Sequence, residues 1–364
     1  MGDLMNENND FQQSDSLTPH PQYHYHYHYY PSEWDLGRRG KPKHGRARRR
    51  RTVKGKLRQN ANIVCAGLLL LMVFSIVSYL LPHFLARLLI GANRLAELRH
   101  VIGQAVALFS FFISYGVALL LIKAWLKIPA RAAFPMRMKG FSITFPAIFI
   151  CLGINLLGVF FYVVIAQVLE LAFGIVSSSP DFSPPEGAAA ITMHIIALVV
   201  LPSVLEELVF RGVVMQSLRR FGDSFALVIS SILFGLVHGN LVQFIPSFLT
   251  GLAIGFFVLR SGSILTGILI HAVNNGILVT ISLLTRGGSE QLIIIANNAM
   301  SILCLCSGVI AVVMLMWRRP GIFSTAPARI SLKSWKKYLY FFTSAAPIAF
   351  VIATVGLITM NLIG

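Results

Sequence analysis

The sequence predicts an all-α protein, a polytopic bundle of transmembrane helices with a disordered basic tail at its N-terminus. Two observations indicate this fold class. The mean hydropathy of the 364 residues is +0.71 and only 12% of them are charged, whereas charged residues make up about 25% of an ordinary soluble domain. The apolar residues also fall into successive segments, each near the roughly 20 residues that a helix needs to cross the hydrocarbon core of a bilayer. The composition therefore excludes an ordinary soluble enzyme.

Residues 1–60 form the first region, which we predict to be a disordered cytoplasmic tail. They are rich in Asn, Gln, Ser, Pro and Arg and have no apolar periodicity. Twelve of the 31 lysines and arginines of the chain fall between Arg38 and Arg58. Basic residues directly before an apolar span typically fix the N-terminus in the cytoplasm and contact anionic lipid. No aromatic residues alternate with this charge, so a nucleic-acid partner is not expected.

Residues 61–364 are predicted to form one transmembrane domain of eight or nine spans. The candidate spans are 62–81, 101–122, 144–168, 188–212, 224–244, 245–260, 263–285, 291–317 and 338–363. The charged segment 82–100 is predicted to be an interfacial amphipathic helix. The short basic loops alternate along the chain in a way that places the protein in the cell membrane as a multi-pass protein with a cytoplasmic N-terminus.

Three short polar clusters interrupt the apolar segments between residues 185 and 285, which we take as the catalytic core. The clusters are Glu206-Glu207-Leu208-Val209-Phe210-Arg211, Phe234 to His238, and His271 to Asn275. An ionisable side chain near the bilayer centre costs about 2.5–3.5 kcal/mol even on the mildest insertion scale. The five ionisable groups in these clusters therefore indicate a functional site.

The three clusters are predicted to lie at one depth in the membrane. Glu206 and His238 both lie about 20 Å from the predicted cytoplasmic turn near Arg219, at 1.5 Å of helix per residue. His271 and Asn275 lie about 14–22 Å from the next predicted cytoplasmic turn, near Arg260, at the same rise per residue. All three clusters are thus expected near the middle of the bilayer.

Spacing within the clusters predicts which side chains meet. Glu207 and Arg211 are four residues apart, so we expect an ion pair within one helix. Glu206 then points about 100° away and remains available for chemistry. Phe234 precedes His238 by one turn and is expected to pack beside its imidazole.

Two kinds of hydrolytic chemistry fit these residue types, and the sequence leaves both open. In the first, Glu206 is a general base that activates water with the help of His238, while His271 and Asn275, on one helix face, donate hydrogen bonds to the oxyanion. In the second, Glu206, His238 and His271 bind a divalent metal, because one Glu and two His form a common hydrolytic zinc set. The sequence has no His-Glu-x-x-His motif.

Together the three clusters resemble the motifs of the CPBP (Abi or CAAX protease) family, which contains the type II CAAX prenyl endopeptidases. That family is marked by Glu-Glu-x-x-x-Arg, Phe-x-x-x-His and His-x-x-x-Asn on successive helices. Here Glu206, Glu207 and Arg211 fill the first motif, followed by Phe234 with His238, and by His271 with Asn275.

The resemblance covers about residues 185–285 and implies an intramembrane endopeptidase acting on membrane-anchored or membrane-embedded peptides. It also implies that Glu206 and His238 activate water and that His271 and Asn275 form the oxyanion site. The family is classed among metalloproteases, and a metal-free, glutamate-based mechanism has also been proposed for it. Two other functions fit intramembrane charges, namely an ion-coupled transporter and a non-catalytic immunity or scaffold protein. The internal repeat that a transporter would favour is not found in the sequence.

Overall fold

The computed structural model describes residues 52–90, 92–136, 141–175, 183–323 and 332–363. Within these ranges the chain is helical and contains no strand, which confirms the predicted fold class. Eight helices in the described part are long and apolar enough to cross a membrane. Residues 1–51 of the predicted tail lie outside the described residues.

The helices are named here in chain order. They are α1 Val53–Ile90, α2 Ala92–Leu126, α3 Ala130–Ala133, α4 Phe141–Phe173, α5 Ala188–Phe221, α6 Asp223–Leu236, α7 Leu241–Ser261, α8 Ile264–Leu284, α9 Glu290–Arg318, α10 Ser334–Phe342 and α11 Ala345–Ile363.

Three boundaries differ from the sequence predictions. Helix α1 already begins at Val53, before the predicted span 62–81, and Leu57 in its first part is buried. The segment 82–100 is not a separate interfacial helix, because it forms the end of α1 and the beginning of α2. The predicted span 224–244 is instead the short helix α6, which has 14 residues.

Helices α6 and α7 form a tight antiparallel hairpin. Small residues permit the close approach, since a Cβ added at Gly235 would lie 2.9 Å from the Phe244 carbonyl oxygen, and one at Gly255 would lie 2.6 Å from Leu227. The turn uses Gly239 at φ +66°, which glycine adopts without steric cost. The side chain of Asn240 then caps α7 by accepting a hydrogen bond from the Gln243 amide.

Helix α6 is too short to cross a bilayer, because 14 helical residues are only about 21 Å long and the hydrocarbon core is about 30 Å thick. Helix α11 covers the turn of the hairpin. The Asn361 amide nitrogen donates a hydrogen bond of 3.0 Å to the Gly239 carbonyl oxygen, and a Cβ at Gly239 would contact Leu357.

Helix α5 contains two π-helical segments, Ile196–Val200 and Leu208–Val214, on either side of the α-helical segment Leu201–Glu207. Such wide turns are rare and often occur at functional sites. Neighbouring side chains bond to carbonyl groups of the wide turns: the Leu198 oxygen accepts from Asn275 at 2.9 Å, and the Phe210 oxygen accepts from Ser230 at 2.8 Å. These bonds fix α5 against α6 and α8.

Candidate active site

The ion pair predicted between Glu207 and Arg211 is present at the centre of the bundle. An Arg211 guanidinium nitrogen lies 2.7 Å from a Glu207 carboxylate oxygen, and the two side chains are 1% and 0% exposed. The guanidinium also donates to the Gly251 carbonyl oxygen at 3.2 Å and lies 4.4 Å from the centre of the Phe234 ring. Arg211 is thus held on three sides and neutralises one of the two adjacent acids.

The His271 ring lies between both acids. Its Nδ1 is 3.0 Å from Glu207 Oε1, and its Nε2 is 3.8 Å from Glu206 Oε2. Because a carboxylate ion-paired with Arg211 only accepts hydrogen bonds, Nδ1 carries the proton that it donates to Glu207. The other ring nitrogen, Nε2, then faces Glu206.

Tyr115 on α2 completes the surroundings of Glu206. Its hydroxyl donates a hydrogen bond of 3.2 Å to Glu206 Oε1, and both side chains are buried. Tyr115 belongs to none of the three clusters, and its span carries no charged neighbour that marks it in the sequence. The hydroxyl leaves Oε2 as the carboxylate oxygen that faces His271.

His238 lies at the end of the α6–α7 hairpin, apart from Glu206. Its Nδ1 is 2.8 Å from the Phe234 carbonyl oxygen, and its Nε2 is 3.5 Å from the Ser247 hydroxyl. The Phe234 ring is edge-on to both imidazoles, with centroid distances of 5.2 Å to His238 and 5.9 Å to His271. Phe234 therefore packs beside His238 as predicted and also contacts the second imidazole.

Asn275 faces the backbone of α5. Its amide nitrogen donates to the Leu198 carbonyl oxygen, and its own carbonyl oxygen accepts from the Asn274 amide at 3.3 Å. His271 meanwhile bonds to Glu207. The structure therefore does not bring His271 and Asn275 together as two hydrogen-bond donors to a common oxygen.

The zinc alternative does not fit this arrangement of side chains. Within the described residues, no group of three or more His, Cys, Asp or Glu side chains could hold a metal ion. Glu206 and His271 approach each other, but the nitrogens of His238 contact Phe234 and Ser247. No step is therefore assigned to a metal.

A family comparison covers the same part of the chain. Residues 188–277 match the family described as type II CAAX prenyl endopeptidase Rce1-like. The matched segment runs from the beginning of α5 into α8 and contains all three motifs. It confirms the resemblance to the CAAX protease family that the motifs predict. No curated protein and no solved structure matches the chain.

Proposed function

We propose that this multi-pass membrane protein, whose residues 188–277 match the type II CAAX prenyl endopeptidase Rce1-like family, is an intramembrane endopeptidase that uses Glu206 as its general base. The observation that carries the proposal is the 3.8 Å separation of Glu206 Oε2 from His271 Nε2. This distance is too long for a direct hydrogen bond and suits one water molecule bonded to both groups. The family match favours an endopeptidase over a transporter.

In the proposed reaction, Glu206 Oε2 removes a proton from this water, and the water oxygen attacks the carbonyl carbon of the scissile peptide bond. The tetrahedral intermediate then collapses and the carbon–nitrogen bond breaks. The proton returns to the leaving amine, either from Glu206 or through His271 Nε2. Glu207 orients the His271 ring for this transfer, since it binds the opposite ring nitrogen at 3.0 Å.

Three further residues receive roles from their contacts. Tyr115 positions the Glu206 carboxylate through the hydrogen bond to Oε1. His238 donates Nδ1–H to the Phe234 carbonyl oxygen, which leaves Nε2 as the ring nitrogen for proton exchange, so we assign His238 the role of assisting the base. Asn275 is bonded to Leu198, so we assign it a positioning role and not the oxyanion role first expected of it.

We also propose that the N-terminus is cytoplasmic and that its basic residues contact anionic lipid. Arg220, in the turn after α5, donates to the Asn60 side chain, so the beginning of α1 and this basic turn lie at the same end of the bundle. At that end the Lys54 ammonium lies 4.7 Å from the centre of the Tyr340 ring of α10. Clustered Lys and Arg side chains are typical of the cytoplasmic side of a membrane protein.

The test is cleavage of a fluorogenic peptide ending in a farnesylated Cys, two aliphatic residues and a variable residue, by the purified chain in liposomes. Glu206→Gln is expected to lower kcat by about 10²–10⁴, the usual contribution of a general base. The matched control is Glu170→Gln, since Glu170 is exposed on α4 and is expected to leave the rate unchanged. Full activity of Glu206→Gln would contradict the proposal, and absence of cleavage by the unaltered chain would favour the scaffold alternative.

A further inference from the structure

An open-sided groove lies between α4, α8 and α9, next to the acids and imidazoles described above. Its accessible volume is about 70 Å³, smaller than an enclosed small-ligand cleft, so it suits a narrow extended segment lying along its open side. Apolar side chains such as Leu152 and Leu278 form most of its walls, and polar groups from all three helices interrupt them: Asn155, Asn274, Asn297 and Ser301. Polar side chains facing a cleft at membrane depth need hydrogen-bond partners.

The strongest of these polar groups is the carbonyl oxygen of Asn274. Since the Leu198 carbonyl only accepts hydrogen bonds, the amide nitrogen of Asn275 must point to it. The Asn275 oxygen therefore faces Asn274 and takes the Asn274 amide hydrogen. This leaves Asn274 Oδ1 buried without a hydrogen-bond partner among the described residues. Buried acceptors normally accept a hydrogen bond. We therefore expect an N–H or O–H group of a bound molecule in the groove to donate to this oxygen.

The other walls offer complementary groups. Asn155 accepts a hydrogen bond from Thr250 at 3.2 Å through its oxygen, which leaves its amide hydrogens for a ligand. Asn297 and Ser301 on α9 form no side-chain hydrogen bond to any part of the chain that the structure describes. A lipid acyl chain cannot satisfy such groups, whereas a peptide backbone carries both N–H and C=O groups. The groove is therefore suited to peptide rather than lipid.

On α8 the groove begins at Asn274, about one helical turn beyond His271. Asn274 is three residues after His271, so the two side chains are neighbours on the helix surface. The lining of α8 runs from Asn274 to Ile281, which is about 10 Å of helix and corresponds to about three residues of extended chain. Leu278 lies along this line and is 57% exposed, so the groove opens sideways towards lipid.

From these contacts we infer that the groove binds the substrate, as an extended segment of about three residues on one side of the scissile bond. Asn274 accepts a hydrogen bond from a backbone N–H of this segment and Asn155 donates to a backbone carbonyl. Apolar side chains of the substrate contact Leu152 and Leu278. The inference rests on the proposed function, because it takes the substrate of that same site as the occupant.

The test separates binding from cleavage by measuring photocrosslinking in the Glu206→Gln variant. p-Benzoylphenylalanine is incorporated in place of Leu278, or in place of Thr280 as the control, since Thr280 is exposed on α8 and does not line the groove. The probe is the biotinylated farnesyl peptide with the C-terminal sequence used for cleavage. Specific crosslinking that excess unlabelled peptide competes is expected at position 278 and not at position 280.

Asn274→Leu is expected to lower this crosslinking by about 5- to 10-fold, the effect of one lost hydrogen bond, and to raise KM more than it lowers kcat. Asn155→Leu, on the opposite wall, is also expected to lower the crosslinking and raise KM. It serves as the second test variant if Asn274→Leu fails to fold. The matched control is Asn298→Leu, because Asn298 is exposed beside Asn297 and lies outside the lining.

Equal crosslinking at positions 278 and 280 would contradict peptide binding in the groove, and so would no crosslinking at 278 with a peptide that the unaltered chain cleaves. Either result would leave the proposed function unaffected. Crosslinking at 278 with a peptide that the unaltered chain does not cleave would support peptide binding in the groove and contradict the proposed function.

Discussion

The two halves of the candidate site are built differently. The acid cluster (Glu206, Glu207, Arg211 and His271) is almost fully buried. Arg211 and His271 both bond to Glu207, and Glu206 lies 3.8 Å from His271. The hairpin end (Val237–Asn240) carries His238, which is only half-buried and is held by a backbone carbonyl and one long contact to Ser247.

From this contrast we predict that changes in the acid cluster lower the stability of the fold, whereas changes at the hairpin end affect the proposed catalysis with little effect on stability. A buried charge network is costly to break, because removal of one member leaves another charge without its partner. A half-buried imidazole that bonds mainly to its own helix has no such dependence. The two halves should therefore separate in measurements that report stability and activity independently.

The largest effect on stability is expected for Arg211→Met. This change leaves the buried Glu207 carboxylate without its ion-pair partner, and breaking a buried pair in this way costs about 3–5 kcal/mol. Thermal unfolding of the purified protein in detergent measures the loss. Arg219→Met is the control, since its pair with Asp223 is partly exposed and should contribute at most about 1 kcal/mol. Equal losses for the two variants would contradict a special role for the buried pair.

A smaller loss is expected for Gly267→Ala. A Cβ at this position would lie 2.7 Å from Glu207 Oε2 and 2.8 Å from Val258, so the carboxylate must shift within a packed core at a cost of about 1–3 kcal/mol. The control on the same helix is Gly276→Ala, where the nearest atom is 3.8 Å away. Thermal unfolding and peptide cleavage should both decline for Gly267→Ala alone. An unchanged melting temperature would show that the acid cluster tolerates displacement.

The smallest effect on stability is expected at the hairpin end. His238→Gln removes an imidazole whose hydrogen bonds are to its own helix and to Ser247, so the free energy of unfolding should change by less than about 0.5–1 kcal/mol. Cleavage should still fall by about 10²-fold or more if His238 acts as a base. His271→Gln, compared in the same assays, should lose both activity and stability. A His238→Gln variant that unfolds as readily as His271→Gln would end the distinction between the two halves.

The sequence predicts the features that depend on spacing within a helix. The four-residue separation of Glu207 and Arg211 is enough to predict their ion pair, because that spacing places two side chains on one helix face. The apolar composition is likewise enough to predict a bundle of membrane-spanning helices. The motifs predict the family because their residue types and order appear together, and residues 188–277 match it.

The contacts between helices are less predictable. The depth count assumes regular α-helix, but α5 widens into two π-helical segments beside the acids, and their stability depends on side chains from α6 and α8. Glu206 and Glu207 are expected to point about 100° apart. Both acids nevertheless face the same His271 ring, one at each ring nitrogen. Tyr115 comes from a span with no polar motif, so only packing places it beside Glu206.

The position of α11 has a consequence for where the catalytic unit ends. This helix lies beyond the family match, yet its Asn361 amide satisfies the Gly239 carbonyl oxygen next to His238. A chain cut before Ala345 would retain all three motifs while leaving the Gly239 carbonyl oxygen without the donor that Asn361 supplies, at the cost of an unsatisfied backbone group. Enzyme fragments designed from the motif boundaries alone should therefore fail at the turn that bears His238.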